Sequence, residues 1–255
     1  MNRIPEKPRL LKILKDDGFN VPDFYFISGE DFDEGNFLEL QEFLNRSCTS
    51  FKVIVRSAHP QEDRFKGGTF DSLETNCDIT GVQYARNRIT KLARHAKRLN
   101  ILRQQRFYGA PQIDIDQMGI MVMQHIEGLQ VMAKQLGDQW EFGISGFAKD
   151  KVPVESYITR RPPDKRLLEL SATIQRHLGF RCEIEYILDY SGVIHVVQAR
   201  DISLIDLLET NRFEQTLRLD GIRRLRKRSN YRERMIYVMD NPALYERILT
   251  MCSEF

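Results

Sequence analysis

The sequence predicts an α+β fold of two lobes, with a mostly antiparallel sheet around a cleft. Two observations carry that expectation. Up to about residue 110 helical stripes alternate with short buried strands, whereas residues 119–199 break into short β-rich segments separated by turn signals, the texture of hairpins rather than crossovers. Within that stretch, Leu167–Leu178 has the period of a helix able to lie against such a sheet. The textures meet near residues 108–118, so the chain divides into an N-terminal lobe at 1–115, a second lobe at 116–203 and a helical tail at 204–255.

The elements follow in order. Leu10, Leu11, Ile13 and Leu14 form a helical stripe, Gly18 stops it, and Val21-Pro22 leads into an extended Phe24-Tyr25-Phe26-Ile27. A second helix is expected around Phe37–Leu44, then a β-branched run from Phe51 to Val55 reads as a buried strand with Arg56 at its end. Ser57–Thr75 is polar, carries Gly67-Gly68 and reads as a long functional loop. Tyr84, Ile89, Leu92, Ala96, Leu99 and Leu102 mark one long helix from Val82 to about Phe107. Strands are expected at Gly119–His125, Val131–Lys134, Trp140–Ser145, Cys182–Leu188 and Val193–Ala199, with Gly179 ending the helix before the last pair.

Composition excludes several classes. A chain of 255 residues, 42% hydrophobic and 29% charged, can bury a full core, and a net charge of +2 gives no global field for nucleic acid or membrane. Cys48, Cys77, Cys182 and Cys252 lack CxxC spacing, which argues against a zinc site and for reduced thiols. No apolar run approaches the ~20 residues that span a bilayer, and the N-terminus lacks the apolar core of a signal peptide. The expected location is the cytoplasm, with no membrane partner.

The chemistry gathers in the last two strands. Asp189-Tyr190-Ser191-Gly192 is a turn, and a Ser-Gly loop pairing Tyr190 with Val193 sets Glu185 opposite Gln198 and Glu183 opposite Arg200. Opposed residues share a face, so Ile184, Tyr186, Val197 and Ala199 make the other, apolar one. Carboxylates, an amide oxygen and a guanidinium together suit Mg²⁺ and a triphosphate; a cross-strand ion pair on a wet sheet face is the plainer alternative. A second set of candidates, Val53-Ile54-Val55-Arg56-Ser57-Ala58 with Glu62-Asp63, Gly68-Thr69-Phe70 and Glu74-Thr75, puts a fork of donors beside a loop with free backbone N–H groups.

These blocks resemble the N-terminal ATP-grasp nucleotide-binding domain of the phosphoenolpyruvate synthase and pyruvate phosphate dikinase family. Glu183-Ile184-Glu185-Tyr186 and Val197-Gln198-Ala199-Arg200 look like its D-I-E-W and L-Q-x-R, and the arginine block looks like its V-R-S-S-A-x-x-E-D. The resemblance implies an ATP-grasp-like fold around a nucleotide cleft, with ATP and Mg²⁺ as cofactors. It makes Glu185 and Gln198 the metal ligands and Arg56 and Arg200 the catalytic phosphate-binding arginines, and it adds Lys7, Glu62, Asp63, Gly68 and Thr69 as nucleotide contacts. Gln124, in a strand Gly119–Ile126 resembling the family's V-x-V-V-V-Q-x-M, becomes the polar contact near the base. The chain departs from the family at Asp71-Ser72, where the family has Ala-Gly, and between Gln124 and Glu183, where it is shorter.

None of His59, His95, His125, His177 and His195 sits in the G-x-[ST]-x-H setting of the family's phosphohistidine; His59, beside the arginine loop, is the one considered for a catalytic role. The expectation is therefore a stand-alone ATP-grasp phosphotransferase or ligase that passes phosphate from ATP to an unidentified acceptor, which a partner protein could carry. Two rivals stand beside it: a nucleotide-binding regulatory or interaction module without chemistry, and a nucleic-acid-associated protein using the basic run Arg223–Arg234.

Overall fold

The computed structural model describes residues 4–47, 51–60, 72–104, 115–136, 139–147 and 153–203. Residues up to Gln135 and from Gln139 to Asp201 form one compact unit; the second, Leu136–Asp138 with Ile202–Phe255, lies almost wholly outside the described residues, as does the basic run Arg223–Arg234. The architecture is α+β, as the sequence predicts, with two antiparallel sheets of four and five strands.

Helix α1 (Glu6–Asp16) starts earlier than its leucine stripe, because Pro8 fits a first helical turn that has no use for its missing N–H. It buries Leu10, Leu11 and Leu14. Strand β1 (Phe24–Ile27) follows, then two helices, α2 (Gly29–Asp33) and α3 (Leu38–Ser47). The sequence reading missed α2, a single turn capped by the Ser28 hydroxyl, which accepts from the Asp31 N–H. Strand β2 (Lys52–Ala58) and β3 (Ser72–Asn76) precede the long helix α4 (Ile79–Gln104). After it, β4 (Gly119–Gln124) returns to the first sheet, whose order is β1-β4-β2-β3. Arg56 therefore lies inside β2 rather than at its end: small, fully buried Ser57 and Ala58 let the ladder run on to Ala58 opposite Gly119.

The change of sheet comes after Gln124, later than the change of texture near residue 116. The second sheet comprises β5 (Gly128–Leu136), β6 (Gln139–Phe147), β7 (Pro153–Thr159), β8 (Cys182–Asp189) and β9 (Ile194–Asp201), ordered β7-β6-β5-β8-β9. Helix α5 (Arg166–Leu178) joins β7 to β8. Gly128 marks the entry: a Cβ there would fall against the Leu188 carbonyl, so only glycine lets β5 pass that close to β8. One core holds α1, Met121 and Met123 of β4, α5 and the apolar face of the second sheet, including Phe142, Ile184, Tyr186 and Ala199. A second core lies between the first sheet and α2–α4. Of the four cysteines, Cys182 is free and buried, its thiol pushed up to about 12 by desolvation. Cys77 is disulfide-bonded, which corrects the expectation of reduced thiols.

Candidate functional site

The two arginine motifs meet. Arg56 on β2 reaches across to the second sheet, where its Nη1 donates to Glu185 Oε2 at 2.8 Å and to Gln198 Oε1 at 3.1 Å. Gln198 in turn donates from Nε2 to Glu185 Oε1 at 2.9 Å, closing a ring of three side chains. Residues 129 and 142 positions apart in the chain are thereby fixed within hydrogen-bond distance. Arg56, Gln198 and Arg200 are buried, while the Glu185 side chain keeps 32% of its surface exposed.

The hairpin delivers this arrangement by a route the sequence did not anticipate. Gly192, at φ +85°, ends a three-residue loop, and Asp189 rather than Tyr190 pairs with Val193: its N–H donates to the Val193 carbonyl at 3.0 Å. The register is thus one residue short at the turn, with Leu188 opposite Ile194 and Tyr186 opposite Val196. A β-bulge at Val196–Val197 absorbs one residue, after which Glu185 faces Gln198 and Glu183 faces Arg200, as expected.

Around the ring, donors are left over. Arg56 Nε and both Nε and Nη2 of Arg200 are buried with no hydrogen-bond partner among the described residues. Buried donors of this kind are rare in folded chains and cost stability unless an acceptor meets them, and an anion is one such acceptor. Lys7, buried on α1, directs Nζ to Ser57 Oγ at 3.1 Å, next to Arg56 in the chain. The Glu6 carboxylate holds α1 to β9 by accepting the Asp201 N–H at 2.7 Å. Arg56, Glu185 and Gln198 therefore meet, Arg200 lies two residues beyond Gln198 on the same face of β9, and Lys7 reaches the neighbouring residue of β2. Glu62, Asp63, Gly68 and Thr69 lie outside the described residues. His59 is fully buried.

Gln124 is not part of this group. It pairs with Val53, three residues along β2 from Arg56, so the pleat turns it to the opposite face of the sheet. It instead lines an open recess of about 600 Å³ where the chain crosses between sheets, together with Asn20, Asp23, Asp189 and His195. His195 pairs with Asp189 (Nε2 to Oδ2, 2.9 Å) and meets Asn20 Nδ2 through Nδ1 at 3.2 Å. Asp189 alternates with Ile187 and Glu185 onto one face of β8, so recess and arginine site share that face. Of the recess residues, sequence reasoning singled out Gln124 and missed Asn20, Asp23, Asp189 and His195, and it gave Ser57 no role of its own.

Among the described residues no three His, Cys, Asp or Glu side chains cluster as a metal site. One carboxylate and one amide oxygen nonetheless match the donor set of Mg²⁺, which takes few protein ligands and completes its shell with phosphates and water.

No family model and no curated protein matches the chain. Solved structures do. The VanG D-Ala:D-Ser ligase from Enterococcus faecalis is 17% identical with a TM-score of 0.45, over 77% of this chain and 52% of that one. A D-alanine-D-alanine ligase from Coxiella burnetii is 14% identical with a TM-score of 0.43, over 78% and 48%. The ATP-grasp ligase PsnB, complexed with minimal precursor, Mg and ADP, is 13% identical with a TM-score of 0.42, over 76% and 48%. The chain spans about half the length of these structures.

Proposed function

We propose that the chain binds Mg-ATP in the manner of an ATP-grasp protein and passes a phosphoryl group from it to an acceptor, as a ligase or a phosphotransferase. One observation carries this reading: three guanidinium nitrogens, Arg56 Nε and Arg200 Nε and Nη2, are buried without partners among the described residues, on side chains beside Glu185 and Gln198. A triphosphate supplies the missing acceptors, and a planar fork suits its oxygens better than an ammonium does. Lys7 adds charge at the same end. The recess at Gln124 and His195 takes the base, about 10 Å along β9 from Gln198 given three residues at strand rise.

In this reading Arg56 and Arg200 hold the phosphates in line and neutralise charge that develops as the terminal group leaves. Glu185 and Gln198 would hold Mg²⁺, which supplies charge neutralisation on the phosphate oxygens. The resemblance to the phosphoenolpyruvate synthase and pyruvate phosphate dikinase family supports the same residue roles. The acceptor is a carboxylate in a ligase, and a histidine or hydroxyl in a phosphotransferase.

Calorimetric titration with Mg-ATP tests the binding step. Saturable binding is expected, weakened at least tenfold in Arg56→Ala and Arg200→Ala; two folded variants that bind as the parent does would remove the assignment. Separating ADP, AMP and pyrophosphate after incubation distinguishes transfer from a second reading, nucleotide binding without turnover, which the single carboxylate of the metal set favours.

A further inference from the structure

The ring of Arg56, Glu185 and Gln198 places a cation where the proposed metal belongs. Glu185 Oε2 and Gln198 Oε1 are hard oxygens on neighbouring strands, and both converge on one nitrogen, Arg56 Nη1, at 2.8 and 3.1 Å. The amide is not free to turn its oxygen elsewhere, because its Nε2 is committed to Glu185 Oε1. The carboxylate is partly open to solvent, so access is not the obstacle to a metal ion; the resident positive charge is. Arg56 meanwhile has reason to leave. Its Nε is buried without a partner among the described residues, and Arg200, two residues beyond Gln198 on β9, has two further such donors that an arriving polyphosphate would engage.

We propose that Arg56 is an internal stand-in for the metal: without nucleotide its guanidinium occupies the oxygens of Glu185 and Gln198 and keeps divalent cations out. A polyphosphate draws it away, so metal enters only with the nucleotide. This regulation rests on the Mg-ATP reading. It has a practical logic, since a cleft that excludes free metal does not tie up Glu185 and Gln198 in an unproductive complex. No covalent step is involved; the guanidinium exchanges carboxylate and amide oxygens for phosphate oxygens, and the vacated pair turns to the cation.

The test measures free Mn²⁺ binding by electron paramagnetic resonance, without nucleotide, on the full chain. Arg56→Met and Arg56→Gln are expected to bind Mn²⁺ at least tenfold tighter than the parent. Arg56→Lys, which keeps the charge, should stay near the parent, and adding Glu185→Gln to Arg56→Met should abolish the gain. Folded Met and Gln variants with parental Mn²⁺ affinity would overturn the proposal. Should both variants unfold, ¹⁵N spectra of the parent's Arg56 Nε decide: the resonance should move with metal-free tripolyphosphate and stay still with Mg²⁺ alone, and movement with Mg²⁺ alone overturns it. Neither readout needs ATP, so failure of the nucleotide reading shows up separately, as absent Mg-ATP binding to the parent.

Discussion

Replacing Arg200 by methionine should make the nucleotide-free chain more stable while weakening nucleotide binding. Arg200 is 6% exposed, and two of its nitrogens lack partners among the described residues. Each unsatisfied buried donor costs about 1–3 kcal/mol, and methionine fills similar space without donors, so after some lost packing a net gain of about 1–3 kcal/mol is expected. Glu183, opposite it on β8, is only half-buried and stays solvated when the guanidinium goes. In a chain of this size each kcal/mol raises the melting temperature by roughly 2–4 °C. Charge-assisted hydrogen bonds to phosphate are worth about 1.5–3 kcal/mol each, so ATP affinity should fall on the order of 10- to 100-fold for each bond lost. Urea unfolding with and without Mg-ATP, paired with calorimetry, measures both effects on one preparation. A variant destabilised by several kcal/mol with unchanged ATP affinity would show that Arg200 is a structural cation, and the anion-site argument would fall with it.

Four further outcomes are expected. Lys7→Met removes the buried ammonium on Ser57 and should weaken Mg-ATP binding about tenfold by calorimetry, with little loss of stability because the aliphatic stem is kept. Tyr186→Phe strands the Ser171 hydroxyl, now 2.8 Å from the phenol, and should cost about 1–2 kcal/mol in denaturant unfolding; adding Ser171→Ala should recover part of that loss. Gly128→Ala should cost on the order of 1–3 kcal/mol through the clash with the Leu188 carbonyl, read as a lowered melting temperature. Burial tends to raise the Asp189 carboxyl, but hydrogen bonds from His195, Ser191 and the Val193 amide outweigh it and hold the group well below the usual range. A depressed folded value stabilises above the unfolded value of about 4 and is lost as pH falls through the folded one, so Asp189→Asn should be less stable than the parent at neutral pH and converge with it in acid.

Much of the site was legible because its residues sit on strands whose alternation is plain. Ile184, Tyr186, Val197 and Ala199 announced an apolar face, which put Glu185 and Gln198 on the other. The pairing came out right although the turn was misjudged, since the short loop and the bulge offset each other. Periodicity does not reveal a bulge when both residues at it, Val196 and Val197, are apolar and buried. Strand β7 escaped notice because Tyr157 and Ile158 are both exposed, leaving no buried alternation to read. Sheet membership of β4 was hidden for a different reason: a continuous apolar run such as Gly119–Met123 fits any central strand, and only long-range pairing with β1 and β2 assigns it. The contact between Arg56 and Glu185 could not come from local pattern at all.

The bulge at Val196–Val197 also acts on the hairpin as a frameshift acts on a reading frame. The turn side and the site side of β9 are read in different phases, and Val197 is the single inserted letter between them. Deleting it would remove the bulge and leave both the turn and the pairing of Glu185 with Gln198 in place, whereas pairing it regularly with Glu185 would turn Gln198 and Arg200 into the apolar core and bring Ala199 out in their place.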